Sequence, residues 1–189
     1  MSALPSPSSP GRLRLLPLGV AAAVLLADQI SKQWASTALP PGLSRPFLPG
    51  LLSLQLVHNT GAAFSLFSGS RLPLALVSLL VSAVVLIWIL RSPPRGLWLG
   101  LGLGFLLGGA AGNGIDRWRH GVVTDFLNLV PISFPVFNLA DVAINLAVAC
   151  LLIHQLRAPE PRPPSDRRGI ERSGSGRSST TARPPEPHG

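Results

Sequence analysis

The chain is poor in charge. Charged residues make up 13% of its 189 positions, against roughly a quarter in an ordinary soluble domain. Acids are scarcer still. Between positions 15 and 156 there are four, Asp28, Asp116, Asp125 and Asp141, and no glutamate. The other four, Glu160, Asp166, Glu171 and Glu186, lie in a polar tail. So few charges do not clothe a water-soluble fold. A single cysteine, Cys150, excludes a disulfide framework and a cysteine metal cluster; inside its apolar run it reads as a small buried hydrophobe. No His-Glu-x-x-His spacing is present, and His58, His120 and His154 are too scattered for a Ser/His/Asp arrangement. Nothing in the sequence calls for a metal or a cofactor.

The net charge of +8 does not point to nucleic acid. The basic residues sit at the ends of apolar runs and in the tail, which is how membrane proteins set their orientation.

What is present is length of apolar chain. Residues 72–90 carry no charge and are bracketed by Arg71 and Arg91, enough to cross about 30 Å of hydrocarbon. Three further spans are expected: roughly 14–35 behind Arg12 and Arg14, 96–115 after Pro93-Pro94, and 136–156 with Pro135 near its first turn. The first is read as an uncleaved helix, because Asp28 to Lys32 continues its register and no clean small-residue cleavage site follows. The third is rich in glycine, which suits close helix contact in lipid. Arg12, Arg14, Arg91, Arg95, Arg157 and six tail arginines fall on one side, and Lys32, Arg45, Arg71, Arg117 and Arg119 on the other. That excess places both termini in the cytoplasm. Trp34, Trp88, Trp98 and Trp118 fall at span ends, as in an interfacial belt.

The expected architecture is therefore an all-α polytopic membrane protein of four transmembrane helices. The loop over 36–70 is too long for a simple turn. Its Leu52-Ser53-Leu54-Gln55-Leu56 alternates as a strand does, either a surface hairpin or a platform beside a site. Residues 1–13 and the Pro/Arg-rich 158–189 are expected to be disordered around a membrane unit at 14–157, the tail close to anionic headgroups.

On this topology all four aspartates meet at the outer end of the bundle. An acid at depth costs on the order of 2.5–3.5 kcal/mol, so four in one leaflet point to a built site. Asn59, Asn113 and Asn138 lie on the same side. Paired carboxylates that share a proton supply both an acid and a base. Asp125 and Asp141 have no adjacent cation and are chosen as the dyad; Asp116 with Arg117, and Asp28 with Lys32 one turn on, are expected to be structural ion pairs. By residue chemistry alone a catalytic dyad, a proton or ion path in a small transporter, and interhelical glue all remain open.

Four blocks of sequence resemble the bacterial lipoprotein signal peptidases (signal peptidase II). They are Asp28-Gln29-Ile30-Ser31-Lys32, Asn59-Thr60-Gly61-Ala62-Ala63-Phe64, the run from Gly108 through Asn113 and Asp116-Arg117 to Asp125-Phe126, and Phe134-Pro135-Val136-Phe137-Asn138-Leu139-Ala140-Asp141. The resemblance covers about 14–156. It implies a four-helix membrane aspartic peptidase with a small extracytoplasmic β-rich loop, a β-cradle, in the bacterial inner membrane. It implies cleavage of diacylglyceryl-modified prolipoproteins before the lipidated cysteine, with the catalytic aspartates at Asp125 and Asp141. Asp28, Lys32, Asn59, Asn113, Asp116, Arg117 and Asn138 match positions that shape or support the site. It implies a monomer working on lipidated substrate within membrane lipid, with no cofactor, and inhibition by globomycin. Ala147 stands where the family often has glycine, and the segment from Asp125 to Asp141 is short.

Overall fold

A computed structural model describes residues 10–61 and 71–157. Residues 62–64 of the second block and the ends at 1–9 and 158–189 lie outside them. Four helices are long and apolar enough to cross a membrane: α1 (Pro10–Ala38), α2 (Arg71–Arg91), α3 (Leu97–His120) and α4 (Leu139–Leu156). Between them run β1 (Ser44–Leu48), β2 (Leu52–Asn59) and β3 (Val123–Leu129).

The bundle is organised around α3. The other three helices pack on it, whereas α1 scarcely touches α2 and no substantial contact joins α2 to α4. Glycine makes this possible. An added Cβ at Gly104 would stand 2.7 Å from the Pro17 carbonyl, at Gly108 2.7 Å from Val24 Cβ, and at Gly109 2.6 Å from the Ala140 carbonyl. α3 therefore lies nearly backbone to backbone with α1 on one side and α4 on another. Ala147, completely buried, faces α3 at Gly102, so a methyl group is accommodated where the family often has none. An apolar cluster of Ala21, Val85, Ile89, Leu103 and Leu107 fills the other half of the bundle.

Four boundaries differ from the sequence reading, the end of α1 among them, at Ala38 and not near 35. α1 begins at Pro10, inside the stretch expected to be disordered, because proline is well suited to a helix's first turn, where its missing N–H is not needed. α3 runs on to His120 and ends at Gly121, whose φ of 73° and N–H bond to the Arg117 carbonyl close the helix. Asp116 and Arg117 thus ride on the last turns of a helix and not on a loop. α4 begins at Leu139 rather than 136. Pro135 precedes it, and Asn138 is its N-cap, its side chain accepting from the Asp141 N–H while the Asp141 carboxylate accepts from the Asn138 N–H.

The strands form one antiparallel sheet in the order β1-β2-β3. The expected strand at 52–56 is the core of β2, which makes both a hairpin with β1 and a ladder with β3. Phe137 covers the far edge of β3 through hydrogen bonds with Phe126 and Leu127. Leu56 and Phe126 pack with Ala35 and Leu39 at the end of α1, and Trp34 meets Phe126 edge to face. The sheet is thereby fixed to the bundle at the end where the aspartates lie.

Candidate active site

Each polar residue singled out in the sequence lands in one hydrogen-bonded network at the junction of α1, α3, β3 and α4. Its centre is Lys32, 3% exposed. The ammonium lies 2.9 Å from Asp28 Oδ2 and 3.0 Å from Asp116 Oδ2, and donates to Asn113 Oδ1 at 2.9 Å. All three of its N–H donors are therefore used. Asp28, completely buried, also accepts from the Ala140 N–H at 3.0 Å, which ties α1 to the start of α4. Asp116 also accepts from the Thr124 N–H at 3.2 Å, which ties α3 to β3. Gly112 leaves the room that this requires, since a Cβ there would stand 2.5 Å from Asp28 Oδ2.

One expected pairing changes. Asp28 pairs with Lys32 as anticipated, but the cation on Asp116 is also Lys32 and not Arg117. Arg117 follows Asp116 directly, and successive side chains on a helix diverge by about 100°. Its guanidinium donates instead to the carbonyls of Gly61 at 3.3 Å and Asn113 at 3.5 Å. It lies within electrostatic reach of Asp141, Asp125 and Asp116, with no ion-pair contact to any of them among the described residues.

From Lys32 the network passes through amides. Asn113 accepts from Lys32 and from Asn138 Nδ2, and donates to Asp141 Oδ1 at 2.8 Å. Asn138 Nδ2 donates to Asp125 Oδ1 at 2.6 Å, and Asn59 Nδ2 to Asp125 Oδ2 at 2.9 Å. The Asn138 backbone N–H donates to Asp141 Oδ2 at 3.2 Å. Asn138 thus holds both carboxylates at once. Asn59 arrives through the β2–β3 ladder, in which it stands opposite Val123 and Val57 opposite Asp125; its own Oδ1 is fixed by the Gly61 N–H at 2.9 Å.

Asp125 and Asp141 differ from the other pair in where they face. Both line a cleft of about 570 Å³ with Asn59, Phe134, Phe137 and Val142. Asp125 is 2% exposed. Burial, the largest influence, pushes its carboxyl up to about 6; the Asn59 amide opposes the rise, the charge of Asp141 adds to it, and Asn138 and Lys32 oppose it. A second cleft of about 660 Å³ at the sheet's far tip has no titratable side chain in its lining and offers no comparable chemistry. Among the described residues no three His, Cys, Asp or Glu side chains group as metal ligands.

One member of the network was not singled out in the sequence. Gln29 Nε2 lies 3.1 Å from Asp116 Oδ1, 3.2 Å from Asp28 Oδ2 and 3.3 Å from the Gly112 carbonyl. The signal was its place on the same helix turn as Asp28 and Lys32, where a half-buried amide needs partners as a carboxylate does.

The sequence profile of the signal peptidase (SPase) II family matches residues 20–157. A lipoprotein signal peptidase from Synechococcus sp. (strain RCC307) is 59% identical over 138 residues, 72% of this chain and 91% of the relative. That of Parasynechococcus marenigrum (strain WH8102) is 57% identical over 142 residues, covering 75% and 89%. A solved bacterial membrane enzyme superposes with a TM-score of 0.71 at 25% identity, over 79% of this chain and 93% of that one. The transport reading of the aspartates finds no support among these matches. The chain belongs to the signal peptidase II family of membrane peptidases.

Proposed function

We propose that this signal peptidase II is an aspartic endopeptidase that removes signal peptides from diacylglyceryl-modified prolipoproteins, with Asp125 and Asp141 as the catalytic pair. One observation carries the assignment. These two carboxylates share a cleft and are held by amides, with no cation bonded to either among the described residues, whereas Asp28 and Asp116 are both bound to Lys32.

Asp125, with its raised pKa, is the proton donor. Asp141, at the N-terminus of α4 and held by two N–H donors, is the acceptor. A water between them attacks the scissile carbonyl and gives its proton to Asp141, while Asp125 protonates the carbonyl oxygen. The resulting gem-diol returns a proton to Asp125, Asp141 protonates the leaving nitrogen, and the C–N bond breaks. Both carboxyl groups end as they began, so the cycle needs no cofactor. Arg117, close to both but bonded to backbone carbonyls, offsets the negative charge that the pair retains.

The separation of α2 from α4 leaves a side of α3 open to lipid, a route by which acyl chains reach the cleft. The peptidase unit spans 14–157, both termini are cytoplasmic, and the cleft opens at the outer face of the bacterial plasma membrane, a reading that the arginine distribution supports. The test is cleavage of a diacylglyceryl-modified prolipoprotein by purified protein in detergent. Release of the signal peptide that globomycin blocks, with the unlipidated precursor left intact, is expected. A folded protein that leaves the lipidated precursor whole would overturn the proposal.

A further inference from the structure

The carboxylate end of α3 has a second face. Asn113 and Arg117 point into the aspartate network. On a helix of 3.6 residues per turn, residues two positions away fall on nearly the opposite side, and that is where Ile115 and Arg119 lie. There α2 and α3 leave a groove of about 360 Å³. The helices touch at Gly114, where an added Cβ would stand 3.1 Å from Ser78 Cβ. Beside this contact, Leu79, Ala111 and Ile115 make apolar walls, and Trp118 and Arg119 stand at the mouth.

Two polar groups in this groove have no partner among the described residues. The Ser82 hydroxyl is spent on the Ser78 carbonyl at 2.8 Å, but among the described residues the Ser78 hydroxyl and the Arg119 guanidinium have neither hydrogen bond nor ion pair. Among the described residues no carboxylate is paired with Arg119, because the four aspartates there are committed to the network around Lys32. The arrangement runs from a cation at the helix end, past an interfacial tryptophan 71% exposed, to a hydroxyl level with Gly114 and about 7.5 Å deeper by helical rise, between apolar walls. That is the order of groups along a glycerophospholipid: phosphate, ester carbonyl, acyl chain.

We propose that the groove between α2 and α3 binds one anionic glycerophospholipid from the leaflet at the carboxylate end of the bundle. Arg119 takes the phosphate, Ser78 donates to an ester carbonyl, and the acyl chain lies along Leu79, Ala111 and Ile115. The site is separate from the catalytic cleft. The lipid occupies the space beside α2 that α1 does not fill, and bridges α2 and α3 beside their contact at Gly114.

The probe is phosphatidylglycerol, compared with phosphatidylcholine of matched chains, added to the purified full chain in a neutral detergent. Native mass spectrometry should retain one phosphatidylglycerol per chain, and thermal unfolding should rise more with that lipid than with phosphatidylcholine. Arg119→Gln should weaken retention of phosphatidylglycerol about fivefold, the effect of one basic residue at an anionic lipid surface, and erase the preference. Ser78→Ala should weaken both lipids alike, and Ala111→Leu should displace both by filling the groove. Cleavage by Arg119→Gln in lipid-free detergent should match that of the unaltered protein, which separates this site from the peptidase chemistry. Equal retention of the two lipids, or an Arg119→Gln protein that keeps the preference, would overturn the proposal and leave a groove that takes any chain.

Discussion

Two pairs of aspartates sit in one continuous network, and their surroundings make them chemically unlike. Asp28 and Asp116 grip a single lysine whose three donors are all used, and backbone N–H groups take up further oxygen positions. Asp125 and Asp141 receive amide hydrogens and face a cleft. The first pair is compensated and enclosed, and its hydrogen bonds tie α1, α3, α4 and β3 together. The second pair is oriented with no cation bonded to it among the described residues, which suits the proton transfer proposed for it. Amides are suited to this because they fix a carboxylate in place and carry no charge of their own.

The contrast breaks if the pairs can exchange roles, and the largest expected effect lies in activity. Asp125→Asn and Asp141→Asn should each lower prolipoprotein cleavage by about 10²–10⁴-fold, the range for loss of an acid or base, in a protein that still unfolds cooperatively on heating. Near-normal turnover in either variant would return the chemistry to the Lys32 side. Lys32→Met probes the other pair. It leaves two buried carboxylates uncompensated and should destabilise the protein by about 3–5 kcal/mol, read as denaturant unfolding in detergent. Adding Asp28→Asn and Asp116→Asn to it should recover part of that loss; no recovery would mean that Lys32 does not act through those two charges.

The smallest effect sharpens the contrast through pH. Asp125 is raised from 3.8 to about 6 in the fold, so between those values the folded state holds a proton that the unfolded chain has released. Stability then falls as pH rises through this window. The contribution is complete below about 3.8 and lost above about 6, some 3 kcal/mol in all. Asp125→Asn should remove this slope from the unfolding profile measured between pH 4 and 7. A slope that persists in the variant would place the titrating group elsewhere.

Much of this was legible in the residues. Hydropathy located all four helices, because lipid demands an unbroken apolar run wherever a helix crosses it. The strand at Leu52–Leu56 was legible from its apolar/polar alternation, although burial does not follow it, since Ser53 and Leu56 are the buried residues. β3 was not. Val123, Thr124, Asp125 and Phe126 are all buried, so no alternation marks them, and both faces are covered by parts of the chain remote in sequence. β1 carries Pro46, which an exposed edge strand tolerates but which weakens the strand pattern in sequence. The cap at Asn138 moved the start of α4 because a side chain that bonds the first turn's N–H groups ends the need for helix before it.

The sequence by itself determined the number of spans, their order, and the gathering of four aspartates at one end, since each follows from local apolar length and from where the charges interrupt it. Only the tertiary structure decided which aspartates are neutralised. Lys32 reaches Asp28 within its own helix, but Asn113 and Asp116 are more than 80 positions away, brought within 3 Å by glycines that let α1 and α3 touch. Arg117, the neighbour in sequence, is turned away by helical geometry. Coulomb attraction follows distance in space, so adjacency along the chain could name the candidates but not pair them.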